Sequence, residues 1–259
     1  MTTPKLAFSV QEYETRIAKT RKSMEAAGIQ TLVITDPANM AWLTGYDGWS
    51  FYVHQAVVLG PTGLPLWWGR AMDGLGAKRT VFMSHDHIFG YEDIYVQNPE
   101  KHPMQDLAQL VAAQGWQNTR IGLEMDNYYF TAAAYLSLVQ ALPEATWADA
   151  NGLVNWQRAV KSETEITYMR RAAKIVEKMH AIILETATPG MKKNDLVANI
   201  YHAAISGADG HWGDYPSIVP LAPSGADASA PHLTWDDAEL KVGEATFFEI
   251  AGVHRRYHA

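Results

Sequence analysis

Apolar positions change their period several times along the chain, and each change marks an element. From Val10 to Gly28 they recur at the three-to-four spacing of an amphipathic helix. TLVIT, Thr31–Thr35, is a short β-branched run stopped by Asp36-Pro37, which predicts a buried strand. QAVVLGPTGLPLWW holds two strand-like runs, Gln55–Leu59 and Leu64–Trp68, on either side of a Gly-Pro-Thr-Gly turn, and so predicts a hairpin. A helix over Met104–Gln114, a strand over Thr119–Met125, a helix over Thr131–Leu142 and a short strand near Ala145–Trp147 follow. The result is a βαβ-rich α/β domain over residues 1–155, of ordinary domain size.

The texture changes at Ser162. SETE sets a hydroxyl at an N-cap with Glu165 three residues later, the pattern of a capping box. Behind it Ile166, Met169, Ala173, Val176, Met179 and Ile183 recur at helical spacing, so one long helix presents an apolar stripe until Thr188-Pro189-Gly190 stops it. A second helix is predicted over Lys193–Ala208, and from Trp212 onward the pattern is loop and strand. Residues 156–259 are therefore read as a second domain.

Composition narrows what such a chain does. With 47% hydrophobic and 19% charged residues it supplies a folded core. A net charge of −7 works against a broad nucleic-acid surface, which needs clustered Lys and Arg, yet one or two local arginines suffice for a small anion. There is no cysteine, which removes disulfides, thiolate metal sites and cysteine nucleophiles. The first residues carry no apolar signal core and no stretch nears 18 apolar residues, so the expectation is a soluble, cytoplasmic protein without a membrane partner. Nine Trp and twelve Tyr offer faces for a flat or cationic ligand.

Three stretches together resemble the creatinase/aminopeptidase P family. DPANMAWLTGYDG, Asp36–Gly48, is similar to that family's N-x-x-Y-L-T-G signature. RAVKSETEITYMRRAA, Arg158–Ala173, looks like the helix that opens its catalytic domain. HLTWDDAELKVGEATFFEIAG, His232–Gly252, is similar to the stretch that brings its first active-site histidine and then the strand of its first metal-binding Asp. The resemblance implies a creatinase-like α/β N-terminal domain followed by an α+β pita-bread domain, with only the first half of the latter present. A terminus dense in His, Arg and Tyr reads the same way, as the middle of a longer domain. Where the family has Asp before Ala-Gly, this chain has Ile250, with Glu249 one place earlier. Adjacent strand side chains point to opposite faces, so Glu249 is no direct replacement. A two-metal site needs several converging oxygen ligands, and the expectation is therefore no metal and no cofactor. The family has a metal-free, creatinase-type branch. FFEIAGVHRRYHA, Phe247–Ala259, is most similar to the members that open the cyclic amidine ring of ectoine to N-acetyl-2,4-diaminobutyrate. The implied partners are a small ectoine-like cyclic amidine and, from family architecture, a second copy in a homodimer.

Amidine hydrolysis needs a carboxylate near the cation, a proton shuttle and a clamp for the substrate's own carboxylate. The resemblance gives the shuttle to His232, after Pro231, and imidazole titrates where the task requires. Glu249, among Phe247, Phe248 and Ile250, is a charge partner or nucleophile; a structural alternative puts it on the outer face, paired with Arg255 or Arg256. Arg255, His254, Tyr257 and His258 are candidate substrate-binding residues, with Arg256 beside them. Trp49 and Tyr52, in the aromatic loop GYDGWSFYVH, form a possible wall over a flat cation, reaching a partner's site by family analogy. His211, Trp212 and Tyr215 line the pocket or fill it. His85 and His87 at i, i+2 on a strand would share a face, but with no third ligand in suitable spacing the pair is read as incidental. A metal-dependent Xaa-Pro aminopeptidase or prolidase, and a catalytically dead pita-bread binding module, remain as alternatives.

Overall fold

A computed structural model describes residues 4–259. The chain divides into two compact units, 1–160 and 161–259.

The first unit is a mixed six-stranded sheet with helices on both faces. In chain order it runs α1 (Val10–Ala26), β1 (Thr31–Ile34), α2 (Pro37–Thr44), β2 (Ala56–Leu59), β3 (Leu66–Arg70), α3 (Gly74–Thr80), β4 (Ile88–Tyr91), α4 (Met104–Ala113), β5 (Arg120–Leu123), α5 (Ala132–Ala141), β6 (Thr146–Asp149) and α6 (Leu153–Arg158). The strand order is β4-β3-β2-β1-β5-β6. β2 is antiparallel to both β1 and β3, and the outer pairs β3–β4, β1–β5 and β5–β6 are parallel. The predicted hairpin is β2–β3.

The near-continuous apolar runs follow from burial on both faces. Leu32, Ile34, Val57, Leu59 and Trp67 join one core with residues of α1, α2, α3 and α6, such as Ile17, Met40, Ala77 and Val154. Their neighbours Val33, Val58, Leu66 and Trp68 join a second core with Leu107 of α4 and Leu138 of α5. The period of two along each strand sorts the residues between the two layers.

Asp36-Pro37 ends β1 and also starts α2. The Asp36 carboxylate accepts from Asn39 N–H, and Pro37 occupies the first turn, where its missing N–H costs nothing. Four short elements escaped the sequence pattern: α2, which follows the Asp36-Pro37 stop; α3, with two glycines; β4, at the sheet edge; and α6, of six residues. Behind α2 a buried polar knot holds the unit. Glu124 accepts from the Thr35 and Asp36 amides at 2.7 Å and from Asn39 Nδ2 at 2.6 Å, and Arg158 donates to Asn39 Oδ1 at 2.6 Å. Burial pushes the Glu124 carboxyl above its usual range, against the pull of those donors. Two residues from separate signature stretches, Asn39 and Arg158, thus serve this knot.

The second unit begins with α7 (Glu163–Thr186) and α8 (Lys193–Ser206), followed by loop broken by single β-bridges and a terminal hairpin, β7 (Val253–His254) and β8 (Tyr257–His258). The capping box forms as the sequence implies. Ser162 Oγ accepts from Glu165 N–H, and Glu165 Oε2 accepts from Ser162 N–H at 2.8 Å. The apolar stripe of α7, with Ile175, Met179 and Ile183, packs on Leu196 and Ile200 of α8 and on Phe248 and Ile250.

Candidate functional site

The alternation of the segment leading into β7 decides what each candidate residue can reach. Phe248 and Ile250 pack against the α7–α8 core. A Cβ on Gly252 would lie 2.5 Å from both Ala172 O and Val176 N of α7. His254 is buried beside Tyr168 of α7, ring centroids 5.7 Å apart. Even-numbered residues therefore face the helix, and Glu249, odd-numbered, faces away. Its backbone pairs with Leu221 in both directions, at 3.2 and 3.0 Å. The Glu249 side chain is half-buried and, among the described residues, has no hydrogen-bond or ion-pair partner. The structural alternative that tied it to Arg255 or Arg256 is corrected: Arg256 pairs instead with Asp214 Oδ1 at 2.6 Å and lies 3.8 Å over the Tyr215 ring.

Cross-strand partners share a face, so Tyr257, opposite His254, also turns to the helix. Its hydroxyl donates to Glu165 Oε1 at 2.7 Å, joining the hairpin to the helix cap. His258, opposite Val253, lies on the Glu249 side. Ser217 N–H donates to its Nε2 at 3.0 Å, so its Nδ1 carries the proton and donates to Arg256 O at 3.1 Å. Val253, the cross-strand partner of His258, lies four residues beyond Glu249 along the chain.

His254 Nδ1 lies 3.0 Å from Trp212 O, and His211 and Trp212 enclose the ring. Burial holds its pKa below the ordinary value; the Trp212 carbonyl opposes this, and the charges of Arg171, His211 and Arg255 reinforce it. Arg255 stacks near Trp212 at 5.9 Å. Arg255 and Arg256 form the hairpin turn with φ of 53° and 68°, left-handed backbone that side chains adopt at a cost.

His232 is exposed on a loop, with φ of 66° and no hydrogen bond among the described residues. Thr234 O accepts from Ala222 N–H, while Leu221 pairs with Glu249, so the 221–222 segment links the backbones of Thr234, two residues after His232, and Glu249. The two candidate catalytic side chains are not joined by a hydrogen bond.

In the first unit, Trp49 and Tyr52 are 66% and 68% exposed. Trp49 stacks edge-on to Phe51, which meets Tyr129 at 5.8 Å, and Ser50 anchors the loop through Asp73 Oδ2 at 2.7 Å. The strand expected to carry His85 and His87 is instead a 3₁₀ turn, in which His87 Nδ1 meets Ser84 Oγ and His85 Nε2 meets Lys78 O.

The resemblance implies a metal-binding Asp at position 250 in the metallopeptidase members. Among the described residues no three His, Asp or Glu side chains converge as ligands, and Ile250, at the metal-binding Asp position implied by resemblance, lies in the helix-side core. That position of this chain therefore offers no oxygen ligand.

Comparison with known proteins agrees with this architecture. Residues 16–160 match the family model described as Creatinase/Prolidase N-terminal domain, and residues 167–259 match Metallopeptidase family M24. The chain belongs to the creatinase/prolidase family, its N-terminal domain followed by part of an M24 domain. It is 56% identical to the ectoine hydrolase of Halomonas elongata over 98% of this chain and 65% of that protein. Among solved structures it is similar to a prolidase from Thermococcus sibiricus, with a TM-score of 0.79 at 16% identity over 97% of this chain and 64% of that one. It is also similar to the dipeptidase PepE from Mycobacterium ulcerans, with a TM-score of 0.73 at 23% identity over 95% and 62%. The chain thus spans a little under two thirds of the length of these relatives. The structural likenesses establish the pita-bread fold and nothing finer.

Proposed function

We propose that this chain is part of a hydrolase that opens the ring of ectoine or a close cyclic amidine, giving N-acetyl-2,4-diaminobutyrate from ectoine, without a metal. Similarity to the Halomonas elongata enzyme supports the substrate class. The observation that carries the chemistry is the alternation at 248–254, which turns Glu249 away from the helices as a carboxylate without a partner and sends Ile250 into the core. A half-buried carboxylate in that condition suits a ligand that brings its own positive charge.

The amidinium spreads one charge over two ring nitrogens. Water adds to the carbon between them, and the electron pair of the C=N bond moves to nitrogen. One proton of the water is taken up, one ring nitrogen receives a proton, its C–N bond breaks with the electron pair leaving on nitrogen, and the remaining O–H proton passes to the released amine, leaving an amide and an ammonium group. Glu249 sits beside the cation, or adds to the carbon first and is released by water. His232 carries the proton; its left-handed backbone is the kind of strain that collects at working sites. His254 and Tyr257, turned to the helix, act through the hairpin. The exposed Trp49 and Tyr52 are read as an aromatic wall offered to a second copy in a homodimer.

The test is ring opening followed by NMR, using the full-length gene product with and without EDTA. Turnover unchanged by chelator is expected, with Glu249→Gln and His232→Ala each lowering kcat by about 10²–10⁴. The M24 match favours a metallopeptidase as the second reading. Chelator-sensitive release from an Xaa-Pro dipeptide, with ectoine untouched, would establish that reading instead.

A further inference from the structure

A cavity of about 240 Å³ lies in the first unit, between the end of the aromatic loop, whose Tyr52 also lines it, and the chain that leads into α4. His54, Tyr91, Tyr95, Gln97, Lys101 and His102 line it. The His54 and His102 rings meet at 4.7 Å between centroids. Met104 N–H donates to His102 Nδ1 at 3.2 Å, which leaves the proton on Nε2 and makes that atom a donor. Neither ring nitrogen of His54 is hydrogen-bonded among the described residues. Tyr91 holds the loop end in place, its hydroxyl donating to His54 O at 2.8 Å. No Asp or Glu lines the cavity.

From this arrangement we propose that the cavity binds a small organic carboxylate, held by His102 Nε2–H, His54 and the Lys101 ammonium against the tyrosine rings. Imidazole donors and the exposed Lys101 line a cavity that no Asp or Glu lines, with Asp73, Asp93 and Asp106 acting on Tyr91 from outside the lining, so the partner that fits is an anion. The aromatic walls suit an organic body better than a bare phosphate, and the volume lies below the ~300–1,000 Å³ of drug-sized sites. Burial lowers His54 to about 4, with His102 adding to the effect, and burial lowers His102 as well. The other titratable groups lining the cavity are Tyr52, Tyr91, Tyr95 and Lys101. An anion in the cavity would oppose the effect of burial and draw a proton onto the pair.

Acetate is the probe, with inorganic phosphate as the contrast. Titration of the 259-residue chain, followed by the imidazole resonances of His54 and His102, should show saturable one-to-one binding of acetate and weaker binding of phosphate. Lys101→Met and His102→Asn should each weaken acetate by about tenfold, the worth of one charge-assisted hydrogen bond. Lys101 is exposed, and Asn retains an acceptor for the Met104 amide, so both variants are expected to keep their melting temperature. Absence of saturation, phosphate binding as tight as acetate, or full affinity in both folded variants would each overturn the proposal.

Discussion

Tyr257 shows how little a residue's type says about its duty. Its hydroxyl donates to Glu165, a carboxylate that also closes the α7 capping box, so one buried group receives both the helix cap and the hairpin. Removing the hydroxyl leaves Glu165 Oε1 short of that donor in a dry place. Tyr257→Phe should therefore cost about 1–3 kcal/mol in urea unfolding, the range for removing one partner of a buried polar group. If Tyr257 binds substrate directly, KM will rise while stability holds. Arg255 and Arg256 make the same point at the turn. Two side chains with positive φ give up about 1–2 kcal/mol each, a cost that the Asp214 ion pair and the Tyr215 ring help to offset on one of them.

At the scale of elements, the approach of the 248–254 segment to α7 is governed by Gly252. Its Cα sits where a methyl would meet the helix backbone, which cannot rotate aside as a side chain can. Gly252→Ala should destabilise by about 1–3 kcal/mol as an overpacked contact, and by shifting the segment it should lower turnover as well. Gly76 is the contrast, inside α3 with open space where its Cβ would go and no left-handed backbone. Gly76→Ala should be neutral or stabilise by up to about 1 kcal/mol. Thermal melts of the two variants should thus move in opposite directions or only one should move; equal losses would mean that α7 does not set the position of the strand.

For the whole molecule, the three buried clusters each lie within one unit: two on the faces of the six-stranded sheet, and one between α7, α8 and the 248–250 segment. The Glu124–Asn39–Arg158 knot also closes within the first unit. Residues 1–160 expressed alone should therefore fold cooperatively, with near-UV dichroism from Trp67 and Trp68 and a single melting transition. A fragment that stays molten would show that its cores need more than they contain.

The hydrophobic pattern alone placed most of this architecture, because period is a local property. TLVIT and AVVL are buried on both faces and read as apolar runs; α7 is amphipathic over many turns and carries its own cap. The short α2, α3, β4 and α6 left no such mark, since their conformation is settled by neighbours. The site was legible as an inventory of residues and not as a geometry. Glu249, His254, Tyr257 and His258 stand close together along the chain, and no local signal separates them. Only the packing of Gly252 and Ile250 against α7 fixed the phase of the strand, and with it which two turn toward the helix and which two turn away. Glu165 was visible as a cap residue, but its bond to a tyrosine 92 positions later was not. Side-chain direction along a strand follows from one contact with another element, and such a contact exists only once the chain has folded.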